Sequence, residues 1–339
     1  MSTELTERQL DILYSIVHEY IRTGEPVGSR TISKKYLTHR SAATIRNEMA
    51  DLEEAGYLCQ PYTSAGRIPT SKAYRVYVDM ILQKRSLLTP SVAREKLEAL
   101  KEEKRSIEKM LSYLTQLLGS ITHYISVAGI TVLSDATLNR LDLVKVDSFH
   151  VLLLIILEGG FVHHDVIRTE QEITQEELDD LSSYLNCIIS GRSWFEARDV
   201  IREKMLRELI HYAEICLQTL DEVDLVLKKS RYRFFTGGTS NILLLPDFRD
   251  MEKLRSLLVL LENEEEFARI LEACATEEPP ISVIIGDENP VEAMRDCSLV
   301  LASTENGVKK TILGVIGPVR MDYERTIGVL EMLCEHLLD

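Results

Sequence analysis

The sequence predicts an α+β chain of several domains, led by a small helical unit whose charge differs from that of everything after it. Three observations carry this. The 339 residues exceed what one hydrophobic core organises comfortably and point to two or three domains. Segments of strand character and segments of helical period follow one another without regular alternation, which favours α+β layers over a doubly wound parallel sheet. The formal charge of −15 is also unevenly distributed: residues 1–85 hold 12 Lys+Arg against 10 Asp+Glu, a balance of +2 that leaves −17 for the remainder. An acidic body repels polyanions, so any contact with nucleic acid is directed to the first segment.

The first element is a helix over residues 6–23. Thr6-Glu7-Arg8-Gln9 has capping-box spacing. Leu10, Leu13, Val17, Tyr20 and Ile21 recur at helical period, and Gly24 with Pro26 ends the run. A short second helix over 29–36 takes Ser29 as its cap, and a brief turn through 37–40 follows. A third helix starts at Ser41 and stops before Gly56. Two helices joined by so short a turn fit helix-turn-helix geometry.

The third helix holds the information. Ile45, Met49 and Leu52 form its apolar stripe. Ala43 and Asn47 fall roughly opposite, with Thr44 and Arg46 on the flanks. Such a face suits a DNA major groove, because Arg pairs bidentately with guanine, Asn pairs with adenine, and small side chains let the helix sit close. The acidic residues Glu48, Asp51, Glu53 and Glu54 gather towards the other end. Alone, this pattern fits a plain solvated helix face equally well.

The next segment tips the balance. Residues 57–60 read as a strand, and Pro61-Tyr62-Thr63-Ser64-Ala65-Gly66-Arg67-Ile68-Pro69-Thr70 reads as a tight loop. Arg67 stands beside hydroxyls, including Ser64, that can bond phosphate oxygens. Thr70 is placed to cap a fourth helix to about residue 82, packed by Tyr74, Tyr77, Val78 and Ile81. Lys72 and Arg75 near its start are further candidates for the DNA backbone. This order predicts a winged helix-turn-helix. Its candidate DNA-binding residues are Arg30, Ser41, Ala43, Thr44, Arg46, Asn47, Ser64, Arg67, Lys72 and Arg75.

Beyond it, residues 84–92 with Thr89-Pro90 read as a hinge. Residues 91–118 read as a charge-rich helix that connects domains, the alternative being a coiled-coil seam between subunits. Strands are expected at 141–146, 150–157 and 161–167, with a turn at Glu158-Gly159-Gly160. A helical stretch follows over 174–229, broken near Gly191. A hairpin is expected around Thr236-Gly237-Gly238-Thr239. Helices at 251–261 and 264–275, strands at 281–285, 298–302 and 311–316, and a closing helix at 323–338 complete the chain.

Several motifs then converge. Arg-Thr-Ile-Ser at 30–33, Ala-Thr-Ile-Arg-Asn-Glu-Met at 43–49 and Thr-Ser-Ala-Gly-Arg-Ile-Pro-Thr at 63–70 resemble the heat-inducible transcription repressor HrcA family. So do Tyr-Arg-Val-Tyr-Val-Asp at 74–79 and Gly-Pro-Val-Arg-Met-Asp-Tyr at 317–323. The resemblance runs over essentially the whole chain. Tyr62 stands where it implies His, and Ala73 where it implies Gly.

The resemblance implies a winged helix-turn-helix DNA-binding domain at 1–85 and a GAF-like domain at 90–171 and 251–339. It implies an inserted dimerisation domain at 172–250 that interrupts the latter. It further implies a cytoplasmic homodimer that represses heat-shock chaperone operons at an inverted-repeat double-stranded operator, CIRCE, and that the chaperonin GroEL keeps active. An inverted repeat needs a two-fold protein, and one reading helix per subunit supplies the halves. The alternatives are a repressor switched by a small ligand in the GAF-like domain, and an enzyme carrying a DNA-binding module. A deep polar pocket would favour either, and a filled apolar core would oppose both.

No cofactor, metal or catalytic set is expected. The six cysteines form no Cys-x-x-Cys pair and fit reduced residues of a reducing compartment. Adjacent His163 and His164 would point to opposite faces of a strand. Thr236-Gly237-Gly238-Thr239 lacks the Lys of a phosphate-binding loop. His163-His164-Asp165 has no nucleophile in an elbow setting beside it. No leader is expected at the first residues, and the most apolar run, 151–157, is too short to cross a bilayer.

Overall fold

The computed structural model describes residues 5–63, 65–84, 107–132, 138–157, 162–205, 212–230, 232–275, 281–305 and 309–337. The predicted hinge, the first part of the 91–118 helix and the turn at 158–160 lie outside them. By contact the chain divides into two units. One comprises Met1–Gly129, Phe234–Thr304 and Ile312–Asp339, and the other comprises Ile130–Arg233 and Glu305–Thr311.

The first unit opens with the helical head. Helix α1 (Glu7–Thr23) carries the expected capping box between Thr6 and Gln9, and Gly24 ends it in the left-handed region at φ 67°. Helix α2 (Ser29–Lys35) is preceded by Gly28, whose missing side chain offers no cap; Ser29 is its first helical residue and is buried. Helix α3 (Ala42–Glu54) begins where Ser41 Oγ accepts the Thr44 N–H at 3.1 Å. Strands β1 (Leu58–Cys59) and β2 (Ile68–Pro69) pair antiparallel and form the base of the wing. Helix α4 (Ser71–Lys84) follows. Thr70 Oγ1 reaches back to the carbonyls of Gly56 (2.8 Å) and Tyr57 (3.0 Å), joining the two ends of the wing.

The head core is Ile12, Leu13, Ile16, Val17, Ile32, Ile45, Leu52, Leu58 and Val78, all buried. Helix α1 buries Ile12 and Ile16 beside the predicted Leu13 and Val17, whereas Leu10, Tyr20 and Ile21 are only half-buried, because it packs on α3 and α4 together. Its buried Glu19 accepts from Lys35 Nζ (2.5 Å) and Tyr36 Oη (2.6 Å), and these bonds hold its carboxyl below the ordinary range. That clamp pins α2 to α1.

The rest of the first unit is a five-stranded sheet with helices. Helix α5 (Ile107–Thr122) leads into β3 (Ile125–Val132), a strand the sequence reading missed. After the second unit come β7 (Tyr232–Gly237), α9 (Met251–Glu262), α10 (Glu264–Cys274), β8 (Ile281–Ile285), β9 (Cys297–Glu305), β10 (Lys309–Pro318) and α11 (Tyr323–Leu337). The strand order is β7-β3-β10-β9-β8. Ile125, Val127, Leu254, Leu257, Phe267, Leu271, Leu299, Leu301 and Ile312 form its apolar core.

The expected hairpin at 236–239 is absent, and this is a correction. Gly238 turns left-handed at φ 65°, and a 3₁₀ turn over Thr239–Leu244 follows in place of a second strand. Asn241 explains it: its side-chain amide donates to Gly119 O at 3.0 Å, and the chain folds over the α5 end. Strand β7 pairs with β3 instead.

The second unit contains the antiparallel sheet β4 (Leu138–Lys145), β5 (His150–Leu157) and β6 (Val162–Arg168), with β5 central. Helices α6 (Gln175–Ile189), α7 (Trp194–Met205) and α8 (Ala213–Ser230) pack with it. By contact this sheet groups with these helices, whereas the resemblance implies that residues up to 171 belong to the GAF-like domain. Side chains of α6 complete the exposed edge of β4. Asn186 exchanges two bonds with the Leu141 backbone (2.8 and 2.6 Å), Ser182 Oγ accepts Leu143 N–H (3.0 Å), and Gln175 Oε1 accepts Lys145 N–H (2.7 Å). A helix thus supplies what a neighbouring strand would, and the edge is no longer free to pair.

Candidate nucleic-acid interface

Helix α3 presents the candidate surface because burial of Ile45 and Leu52 orients its other side outward. Ala43, Thr44, Arg46 and Asn47 are all exposed along one flank, and Ser41 is exposed at the start. Ser41 Oγ and Thr44 Oγ1 lie 2.9 Å apart, so the cap also orients a hydroxyl of the outward face. Glu48, next to Asn47 in sequence, is buried and ion-paired with Arg8 of α1, so its charge is turned away from the outward side.

The wing is tied to the second helix. Val27 and Arg67 exchange backbone bonds, N–H to carbonyl in both directions at 2.9 Å. Gly66 is required by that approach: a Cβ there would lie 2.5 Å from the Val27 carbonyl carbon and oxygen. Gln60 Nε2 donates to Thr63 O and Ala65 O, both at 3.0 Å, and so shapes the loop tip. Ser64, between them, lies outside the described residues. Arg67 Nε donates to Glu53 Oε2 at 2.7 Å, linking the wing to the end of α3.

Together these elements line an open cleft of about 610 Å³ that holds Arg30, Arg46 and Arg67 with Gln60. Three arginines line it, one each from α2, α3 and the wing. Their fixed forks suit phosphate oxygens and guanine edges. Cys59 on β1 is exposed, and partial desolvation, with Glu53 nearby, raises its pKa.

Ser41, Ala43, Thr44 and Asn47 lie on the α3 surface outside the cleft, and Lys72 and Arg75 are engaged elsewhere. Lys72 Nζ donates to Ala55 O at 2.9 Å and lies 4.0 Å from the Tyr57 ring centre, capping the end of α3. Arg75 is bonded to Glu288 (Nε to Oε1, 2.8 Å) and to the Val283 carbonyl (2.5 Å) in the same unit. The sequence reading missed the supporting residues Arg8, Val27, Glu53 and Gln60. Only Gln60, an amide at the end of a strand before Pro61, carried a local signal, because the others act across the fold.

Among the described residues no three His, Cys, Asp or Glu side chains gather as a metal site, and no helix is long and apolar enough to cross a membrane. A family model described as "Winged helix-turn-helix transcription repressor, HrcA DNA-binding" matches residues 4–81, and one described as "HrcA protein C terminal domain" matches 108–327. Proteins named heat-inducible transcription repressor HrcA are similar throughout. Those of Desulforudis audaxviator and Carboxydothermus hydrogenoformans are each 38% identical over 98% of this chain and 97% of theirs. That of Lachnoclostridium phytofermentans is 36% identical over 98% of this chain and 96% of its own. A crystal structure described as a hypothetical protein is 26% identical, with a TM-score of 0.66 over 98% of both chains.

Proposed function

The chain belongs to the HrcA family of heat-inducible transcription repressors, and from that premise we propose that it holds chaperone operons silent by binding an inverted-repeat operator, CIRCE, as a cytoplasmic homodimer. Its DNA-binding domain is the winged helix-turn-helix of the head. The observation that carries the reading is the exposed α3 flank of Ala43, Thr44, Arg46 and Asn47 beside the three-arginine cleft. In this reading Arg46 and Asn47 read base edges, and Arg30 and Arg67 hold phosphates.

The dimer reading is supported by the second unit. The outer face of its sheet leaves Val144, Val162 and Val166 exposed and also carries Arg140, Asp142 and His164, and Val146 and Phe149 are exposed in the turn between β4 and β5. Val144, Leu152 and Val166 are cross-strand neighbours, as are Ile156 and Val162, so the apolar side chains form rows. Covering such a face with a second copy removes it from water. The interface of this proposal therefore includes the sheet, together with the helices of the 172–250 segment.

Chaperonin control follows from the family reading: GroEL returns loosened chains to the binding-competent form, and heat-damaged clients draw it away. A ligand-switched repressor has less support. The interior beside β3 is apolar, and the Phe234 ring fills the space over Gly129, where a Cβ would lie 2.1 Å from it. Nuclease footprints of the full chain on chaperone promoters, at low and high temperature, test the proposal. Protection of an inverted repeat that fades on heating supports it, and the absence of a footprint at low temperature refutes it.

A further inference from the structure

The head is joined to the five-stranded part of its unit by directional contacts. Arg75 on α4 makes a two-pronged pair with Glu288 and also donates to Val283 O at 2.5 Å. Glu288 is itself held, because its Oε2 accepts the Ile285 N–H at 2.9 Å. A second attachment lies at Glu324 in the first turn of α11, which accepts from Tyr14 on α1 and from Tyr77 on α4 (3.3 Å). The Tyr14 and Tyr77 rings lie 4.9 Å apart. At a third point Tyr74 meets Tyr323, whose hydroxyl lies 2.6 Å from both Ser298 Oγ and the Val319 carbonyl.

Three separated points define a plane, and a two-pronged arginine–carboxylate pair fixes angle as well as distance. The contacts arise from α1 and α4, whereas the candidate reading residues of α3 remain exposed. The body therefore holds the head without masking that flank.

We propose that Arg75, Tyr14 and Tyr77, seated on Glu288 and Glu324, are positioning residues that fix the orientation of the reading helix, so that a dimer recognises one half-site spacing. This rests on the inverted-repeat reading above. A head on a loose tether would sample many orientations, lowering its effective concentration at the second half-site and accepting altered spacings. Arg75, taken from sequence as a backbone contact, acts here on the side of the head that faces the body.

The test uses the full chain with Glu288→Gln, whose partly exposed site tolerates the change, and Glu324→Gln. Both act on the body side and leave the reading face untouched. The first measurement is titration of duplexes carrying the footprinted inverted repeat with its natural spacer, the spacer altered by two and four base pairs, and a single half-site. We expect unchanged half-site affinity, about tenfold weaker binding at the natural spacing, and a flattened dependence on spacing.

The second measurement needs no DNA. A dye on exposed Cys59, with exposed Cys187 replaced by Ser, reports head rotation by time-resolved anisotropy. Wild type should tumble with the protein, and both variants should add a faster component. An unchanged decay in both variants overturns the proposal. If wild type binds the half-site as tightly as the repeat, the inverted-repeat reading fails, and the anisotropy arm still decides the mount.

Discussion

Two exposed surfaces of the molecule differ in chemistry. The cleft at α3 and the wing is polar, with Arg30, Arg46, Arg67 and Gln60 on its walls. The outer sheet face of the second unit exposes Val144, Val162 and Val166 in apolar rows, with Asp142 and His164 on the row between them. Directional donors discriminate between partners because a wrong partner leaves them unpaired. Apolar rows attract without such discrimination and suit a constant partner, a second copy of the chain. The difference teaches that recognition and assembly are placed on separate surfaces, so each can be broken alone.

Breaking the apolar surface should have the largest effect. Val144→Asp with Val166→Asp places charges at both ends of the Val144–Leu152–Val166 row and should yield a folded monomer by light scattering. Operator affinity should fall by about 100-fold or more as the second half-site becomes a separate binding event. A stable dimer would move the interface elsewhere, for instance to the helix predicted at 91–118.

Breaking the polar surface should cost less and cost selectively. Arg46→Ala and Asn47→Ala should each lose about 1–3 kcal/mol of operator affinity while preserving the dimer, as titration of operator and random duplexes would show. Arg67→Ala should weaken operator and random DNA together, by roughly threefold to tenfold, and lower the salt dependence of binding. Because Arg67 also bonds Glu53, Glu53→Gln is the sharper comparison: it should free the guanidinium and leave non-specific binding equal or stronger.

The smallest effects concern the scaffold of the polar surface. Ser41→Ala removes the α3 cap and should lower stability by about 1 kcal/mol in denaturant melts. The Glu19 carboxyl, lowered by Lys35 and Tyr36, stabilises the fold above the ordinary carboxylate range. That contribution is lost as pH falls through its depressed folded value. Glu19→Gln should therefore flatten the acid limb of stability against pH.

Much of the polar surface was legible because it is local. Ser41, Ala43, Thr44, Arg46 and Asn47 lie on one helix, and helical period alone separates them from buried Ile45 and Leu52. Arg75 shows where this reasoning ends. Its place on α4 resembles that of a phosphate contact, yet Glu288, 213 residues further on, engages it. Strand edges were equally hidden. The apolar run 151–157 marks β5, but nothing local says that Gln175, Ser182 and Asn186 complete β4. The false hairpin at 236–239 has the same cause, since Asn241 answers to Gly119 rather than to its neighbours.

The account's central claim is that α3 reads sequence. The direct measurement is a base-by-base permutation of one operator half-site, titrated with wild type, Arg46→Ala and Asn47→Ala at fixed salt. The account predicts that each variant loses discrimination at one position, a guanine for Arg46 or an adenine for Asn47, and keeps the wild-type profile elsewhere. Profiles in both variants that parallel wild type at every position would contradict it.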